Sequence, residues 1–311
     1  MGSLISTQGE KVMRVLVLKG GPDAEREVSI KSGAQVAAAL ARANAQVNEI
    51  TIDRLELAEL QALSGDVIFP VLHGPWGEGG PLQEILEQDG RPYVGCGPAA
   101  ARLAMDKTAT KNAVSQVGVP TPAACEVVMG KPITVKLPLV IKPSNDGSSV
   151  DLRICRTPEE LVSARQQLEG RRPRLLAEEF IQGREFTVGI LNGKVLPLIE
   201  IKANSGVYDY QAKYLRDDTQ YILDPDISAE LKDAMNRYSL LCWQGLGLRD
   251  VARVDFMADE RGPWFLEVNT MPGFTDHSLV PKAAKHAGIP MEQLVLDLAR
   301  GALNRAAKLQ V

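Results

Sequence analysis

The chain has little of what several common chemistries require. Its 311 residues include only three histidines (His73, His277 and His286) and four cysteines (Cys96, Cys125, Cys155 and Cys242). The cysteines are scattered without C-x-x-C spacing, which argues against a zinc site or a disulfide framework and suits a reducing, cytoplasmic setting. No histidine lies in H-E-x-x-H and no G-x-S-x-G occurs, so zinc-protease and nucleophile-elbow chemistry are set aside. No apolar run approaches the roughly 20 residues that cross a bilayer, and no membrane partner is expected. The formal net charge is −4 with 24% charged residues. Nucleic-acid binders carry a clustered positive surplus, so no nucleic acid is expected either. The longest basic cluster, Arg171-Arg172-Pro173-Arg174, reads as a solvated turn. Met1 to Ser6 fit the short M-G-x-x-x-S acylation pattern, but read better as a disordered or non-native start.

What is present is an apolar content of 45%, enough for a core, in a length that suggests two or three compact units. Val15 to Leu18 is a short apolar run ending at Gly20-Gly21-Pro22, the mark of a buried parallel strand. An Ala-rich helix over about Glu25 to Ala43 follows. A second strand, Val67 to Leu72, enters a Gly-rich loop from His73 to Gly80, and Pro81 to Gln88 forms a helix stopped near Gly90. Alternating strands and helices imply a parallel α/β first unit over residues 1–104. A second unit, 105–192, holds a helix from Asp106 to Gly118, a strand Leu139-Val140-Ile141 with the loop Pro143 to Ser149, a helix over Pro158 to Glu169, and strands from Leu175 and Phe186. A third unit spans 193–311 and ends in a packing helix over about Met291 to Leu309.

Val251–Met257 and Trp264–Val268 read as a hairpin centred on Arg261. That register places Asp255 opposite Glu267 and Arg253 opposite Asn269, while Val254, Phe256, Leu266 and Val268 face a core. Two carboxylates and an amide on one face suit a hard cation such as Mg²⁺; an exposed strand face neutralised by Arg253 accounts for them equally well. Lys142-Pro143-Ser144 with Gly147-Ser148-Ser149 is either a phosphate-contacting loop or a plain hairpin loop. Gly95 to Ala100 fits G-x-G-x-x-A but follows no first strand, and no acid stands about 20 residues on, so a dinucleotide site is a weak reading.

Taken in order, the segments Gly20-Gly21 with Ala24-Glu25-Arg26-Glu27-Val28-Ser29, Leu72-His73-Gly74 with Glu78, Met105-Asp106-Lys107, Lys142-Pro143-Ser144, Tyr208-Asp209-Tyr210 with Ala212-Lys213-Tyr214, Arg253-x-Asp255, and Leu266-Glu267-x-Asn269-Thr270 with Pro272-Gly273 and His277-Ser278-Leu279 resemble the D-alanine–D-alanine ligase family. The resemblance runs over residues 14–299. It implies an ATP-grasp fold preceded by a Rossmann-like parallel α/β domain, with ATP between the second and third units. It also implies a homodimer in the cytoplasm serving peptidoglycan precursor synthesis, and a reaction through an acyl phosphate.

Residue by residue, the resemblance implies that Lys107, Lys142 and Lys213 contact the nucleotide, Glu178 and Ile181 flank the adenine, and Glu185 takes the ribose. Asp255, Glu267 and Asn269 would hold two Mg²⁺ ions, with Mn²⁺ as a substitute. Glu25 would grip the first substrate's ammonium, with Ser148 and Tyr214 as hydrogen-bonded partners and His73 nearby. Arg253 and the N–H of Gly273 would stabilise the oxyanion. Lys213, Ser278 and Leu279 would meet substrate, Ser278 at the second carboxylate. Residues 205–220 would form a lid that keeps water from the acyl phosphate. Lys19, Glu179 and Asp276 depart from the family pattern. D-alanine–D-serine and D-alanine–D-lactate ligation are the alternatives within the family, Tyr214 speaking against lactate; a silent nucleotide sensor is the alternative outside it.

Overall fold

The computed structural model describes residues 12–147, 151–203 and 219–309. Ser148, Lys213 and Tyr214, the lid expected over 205–220 except its last two residues, and the opening segment lie outside them.

Three parallel strands, β1 (Arg14–Gly20), β2 (Gln46–Ile52) and β3 (Val67–Pro70), form a sheet in the order β2-β1-β3. Both faces of β1 are covered. Val15 and Val17 pack with Val36 and Leu40 of helix α1 (Arg26–Arg42). Leu16 and Leu18 pack on the other side with Leu60 of helix α2 (Leu57–Gln61) and with Leu82 and Leu86. Burial on both sides is why this strand is apolar at every position rather than at alternate ones. β1 ends in Gly20 and Gly21, at φ of 99° and 91°. A Cβ on Gly20 would stand 2.5 Å from the Ile52 carbonyl oxygen, so only glycine allows the tight turn that brings Glu25 to the start of α1. After β3, the chain makes the single-turn helix α3 (Gly74–Gly77) and then α4 (Pro81–Asp89), which ends at left-handed Gly90, as the sequence predicts.

Helices α5 (Pro98–Met105) and α6 (Lys107–Gln116) lead to an antiparallel sheet of β4 (Ala124–Val127), β5 (Leu139–Pro143), β6 (Arg153–Cys155) and β7 (Leu175–Glu179), in the order β4-β7-β5-β6. Helix α7 (Pro158–Leu168) covers one face, burying Leu139, Ile141, Cys155 and Ala177. Alternation along the strands then sends Val140, Lys142, Ile154 and Glu178 to the opposite face, where they line a cavity.

Across that cavity lies a six-stranded sheet of β8 (Arg184–Leu191), β9 (Lys194–Val195), β10 (Ile199–Lys202), β11 (Gln220–Leu223), β12 (Val251–Asp259) and β13 (Gly262–Asn269), ordered β11-β10-β8-β12-β13 with β9 on β8. This sheet reaches back to Arg184, ahead of the boundary expected at 192/193. Asn192 and Gly193 there have φ of 49° and 77°, the left-handed pair of a tight hairpin turn that joins β8 and β9 in one sheet. α5, α6 and the helix Ala229–Gly245 pack under the sheet through Ala101, Val114, Met235 and Cys242. The last two helices, Leu279–His286 and Met291–Leu309, return to the first sheet, where Leu294, Val295 and Leu298 join Val15 and Val17.

The β12–β13 register pairs Asp255 with Glu267 and Arg253 with Asn269, as expected. Below Asp255 it shifts, and Phe256 pairs with Phe265. Leu266 is therefore the extra residue of a β-bulge. It lines the cavity beside Glu267 instead of facing the core, a correction to the expectation of an unbroken alternation. Phe265 takes the core position, fully buried with its ring 6.4 Å from that of Phe256 in an edge-to-face contact.

Candidate active site

The cavity between the two antiparallel sheets measures about 610 Å³, a size suited to a nucleotide. Lys142 from β5 and Glu178 from β7 form a buried ion pair on its floor. A third member is Lys111, whose Nζ lies 2.9 Å from Glu178 Oε2 and 3.3 Å from the Phe265 carbonyl oxygen. The Lys111 ammonium faces Oε2 as an ion pair, and among the described residues Oε2 has no further hydrogen-bond partner. Burial raises the Glu178 carboxyl, but the Lys111 and Lys142 ammoniums outweigh it and hold it down to about 2. Burial, with Lys142 close by, lowers Lys111 in turn. With one anion between two cations, Glu178 is the group most firmly held charged.

Ile181, buried, and Glu185 line the same cavity, as do Met257 and Leu266. Lys107, the first residue of α6, enters from the other side; its Nζ donates to the Asp146 carbonyl at 2.6 Å and lies 3.3 Å from Glu267 Oε2. Arg253 grips Asp255 with both arms, at 2.9 and 2.8 Å, and the Thr187 hydroxyl donates to Asp255 Oδ1 at 2.6 Å. The Asn269 side-chain oxygen accepts the Met271 N–H at 2.9 Å, leaving one lone pair free to face a cation. No cluster of three His, Cys, Asp or Glu side chains suited to a metal exists among the described residues. The set here is two carboxylates and an amide oxygen. That donor chemistry fits Mg²⁺, which takes one or two carboxylates and completes its shell with phosphate and water oxygens.

At the far end stand Glu25 and His73. A Cβ on Gly147 would fall 3.1 Å from Glu25 Oε2, so the loop after β5 closes directly onto this acid. His73 is buried and its Nε2 has no hydrogen-bond partner. Burial lowers its pKa more than Glu25 raises it, which keeps the ring neutral.

Glu78 belongs to a matched motif but carries no role in the sequence reading. It accepts the N–H of Gly74 at 3.3 Å and of Met271 at 3.1 Å, tying the first unit to the loop after β13. Burial, then the Glu25 charge, pushes its carboxyl up to about 8. The folded state therefore keeps a proton that the unfolded chain releases near 4.5, and stability drains as pH rises from 4.5 to about 8. Glu78→Gln, which cannot ionise, should gain stability relative to the wild type across that window and hold a constant difference above it. Urea unfolding at pH 5, 7 and 9 checks this, and a pH-independent difference would contradict it.

A Cβ on Gly273 would meet Ser278 Oγ at 2.8 Å, so only glycine lets the backbone here approach this hydroxyl so closely. Ser278 Oγ accepts the Thr275 N–H at 3.0 Å and precedes the helix Leu279–His286. The Leu279 side chain is buried in the core with Val280 and Phe274, so any substrate contact it makes falls to its backbone. Of the residues departing from the family pattern, Lys19 pairs with Glu49 on β2, and Glu179 pairs with Arg261 at 2.8 Å. The most informative omission is Lys111. It stands four residues after Lys107 on the same helix, a spacing that places both lysines on one face.

The family model described as "D-ala D-ala ligase C-terminus" matches residues 121–300. A D-alanine–D-alanine ligase of Stutzerimonas stutzeri is 43% identical over 96% of this chain and 97% of the relative. One from Chromohalobacter salexigens is 41% identical over 92% and 93%. Among solved structures, a D-alanine–D-alanine ligase of Bacillus anthracis complexed with ATP superimposes with a TM-score of 0.83 at 32% identity, covering 96% of this chain and 99% of that one.

Proposed function

The chain belongs to the D-alanine–D-alanine ligase family, and on that premise we propose how its own residues divide the work of an ATP-dependent ligase that joins two D-alanines. Its fold is ATP-grasp, preceded by the parallel α/β unit. A carboxylate is a poor electrophile until one of its oxygens becomes a good leaving group. The first D-alanine carboxylate attacks the γ-phosphorus of ATP, giving an acyl phosphate and ADP. The amine of the second D-alanine attacks that carbonyl, and phosphate leaves with the C–O bonding pair.

In this reading ATP lies in the 610 Å³ cavity. Lys107 and Lys142 hold its phosphates, aided by Lys213. Glu178 Oε2, charged and engaged among the described residues only by the Lys111 ammonium, accepts the adenine amino group. Ile181 packs on the base, and Glu185 takes the ribose hydroxyls. Asp255, Glu267 and Asn269 would hold Mg²⁺, two ions in the full site, with Mn²⁺ as a substitute. Bound there, the metal would offset phosphate charge that otherwise repels an incoming carboxylate.

Glu25 holds the first ammonium, in company with Ser148 and Tyr214, and neutral His73 lies alongside. Arg253 and the Gly273 N–H face the developing oxyanion. Ser278 and the Leu279 backbone receive the second carboxylate. No helix among the described residues is long and apolar enough to cross a membrane. We place the reaction in the cytoplasm, as a step of peptidoglycan precursor synthesis, and assign the chain a homodimeric state.

The observation that carries this reading is the convergence of Lys107, Lys142 and the Asp255–Glu267 pair on one cavity. Protein, ATP, Mg²⁺ and D-alanine together should release one phosphate for each D-alanyl-D-alanine detected by mass. L-alanine, D-serine and D-lactate serve as comparisons. ATP binding without phosphate release from any D-substrate would leave the fold and overturn the function.

A further inference from the structure

The run Arg171-Arg172-Pro173-Arg174 is not the solvated turn its composition suggests. Arg172 donates to Asp146 Oδ2 at 3.0 Å and to Asp151 at 2.7 Å. Arg174 pairs with Asp106, and with Glu126 at 2.9 Å. Asp106 is the residue before Lys107 and caps α6, accepting the Ala109 N–H at 3.0 Å. The Arg174 carbonyl accepts the Ser144 N–H at 3.1 Å, and the Ser144 carbonyl accepts the Lys107 N–H at 2.8 Å. The Lys107 ammonium, in turn, donates to the carbonyl of Asp146, the residue whose side chain Arg172 holds.

Both ends of Lys107 are thus fixed through the same three-residue turn. Its backbone is held through Asp106 and Ser144 from Arg174, and its ammonium through Asp146 from Arg172. Pro173, between them, restricts φ and keeps the two guanidiniums apart on a stiff segment. We propose that Arg172-Pro173-Arg174 is a positioning bracket that sets Lys107 at the height where a nucleotide phosphate meets it. The bracket rests on the reading of Lys107 as a phosphate ligand. Neither arginine lines the cavity proposed for the nucleotide; both act on ATP through Lys107.

The test compares wild type, the double variant Arg172→Gln/Arg174→Gln, its counterpart Arg172→Lys/Arg174→Lys, and the control Arg171→Gln. Arg171 is more exposed, and among the described residues its side chain reaches only Asp151, at 3.4 Å. Calorimetric ATP affinity and steady-state constants for ATP and D-alanine are measured on each, with a thermal melt as a check on folding. Displacing a positioning group by a fraction of an ångström predicts a KM for ATP about tenfold higher in the double Gln variant, with KM for D-alanine within about twofold. The Lys variant should recover part of the loss, and Arg171→Gln should match wild type. Equal ATP affinity in wild type and the double Gln variant overturns the bracket alone. A loss shared equally by ATP and D-alanine and unrelieved by lysine would assign the turn a purely architectural role and also overturn it. Failure of the wild type itself to bind ATP would overturn the nucleotide reading and the bracket together.

Discussion

Glu267→Gln is expected to fold normally and to lose about a thousandfold in turnover. The side chain is 26% exposed and lies 3.3 Å from Lys107 Nζ, which keeps its hydrogen bond to the Asp146 carbonyl, so no core packing is lost. What goes is one of the two formal charges that the proposed reading turns toward the metal and phosphates, while the amide keeps the size and one oxygen. A metal-held transferring phosphate accounts for several kcal/mol of charge stabilisation. At about 1.4 kcal/mol per decade, that corresponds to about three decades. Phosphate release under saturating ATP and D-alanine measures it, alongside the far-UV spectrum. Near-normal release from a folded variant would sink the metal assignment, because Asp255 and Asn269 could then do without their partner.

Glu178→Gln has its largest effect on stability. The substitution leaves the ammoniums of Lys111 and Lys142, 5% and 10% exposed, with no anion between them. A buried carboxyl moved from 4.5 to about 2 contributes about 3 kcal/mol at neutral pH. Removing one partner of a buried pair typically costs about 3–5 kcal/mol, so two independent arguments agree in scale. The sign is fixed by the lowered value: the contribution is complete above 4.5 and disappears as pH falls toward 2. The wild-type-minus-variant difference should therefore be large at pH 7 and shrink in acid. Adding Lys111→Met to Glu178→Gln should restore part of the loss by removing one stranded cation. A pH-independent difference in urea unfolding would refute the electrostatic account.

Much of this site is legible in the sequence because periodicity converts spacing into facing. Asp255 and Arg253 sit two apart on a strand whose intervening residue is apolar, which gives them one face, and a hairpin about Arg261 brings Asp255 opposite Glu267. The strand β1 and helix α4 are readable for similar reasons, the one from continuous apolarity, the other from its Pro81 and Gly90 punctuation. What is not legible depends on partners distant in sequence. Arg172 and Arg174 read as a solvated run because the acids they meet, Asp146 and Asp106, lie 26 and 68 residues away. Glu78 sits in an evident motif, yet its raised pKa arises from burial against a loop 193 residues later. Asn192-Gly193 looks like a boundary because a tight turn and a linker use the same residues.

The extra residue Leu266 has a further consequence. In an ordinary strand, odd and even positions serve opposite sides from end to end, so Phe265 and Glu267 would be committed to the same side. Here the parity changes once. Phe265 closes the core against Phe256, and two residues later Glu267 looks out at the nucleotide cavity from the same unbroken strand. Deleting Leu266 would bring Phe265 and Glu267 side by side, and a regular ladder would then keep both the aromatic pair and the carboxylate pair on their own sides. What it would remove is the apolar side chain that Leu266 adds to the cavity wall. Adding a second residue between Phe265 and Glu267, or losing either of those two, breaks one of the pairs. The strand can therefore do without its bulge, and the bulge is there for the side chain it places in the cavity.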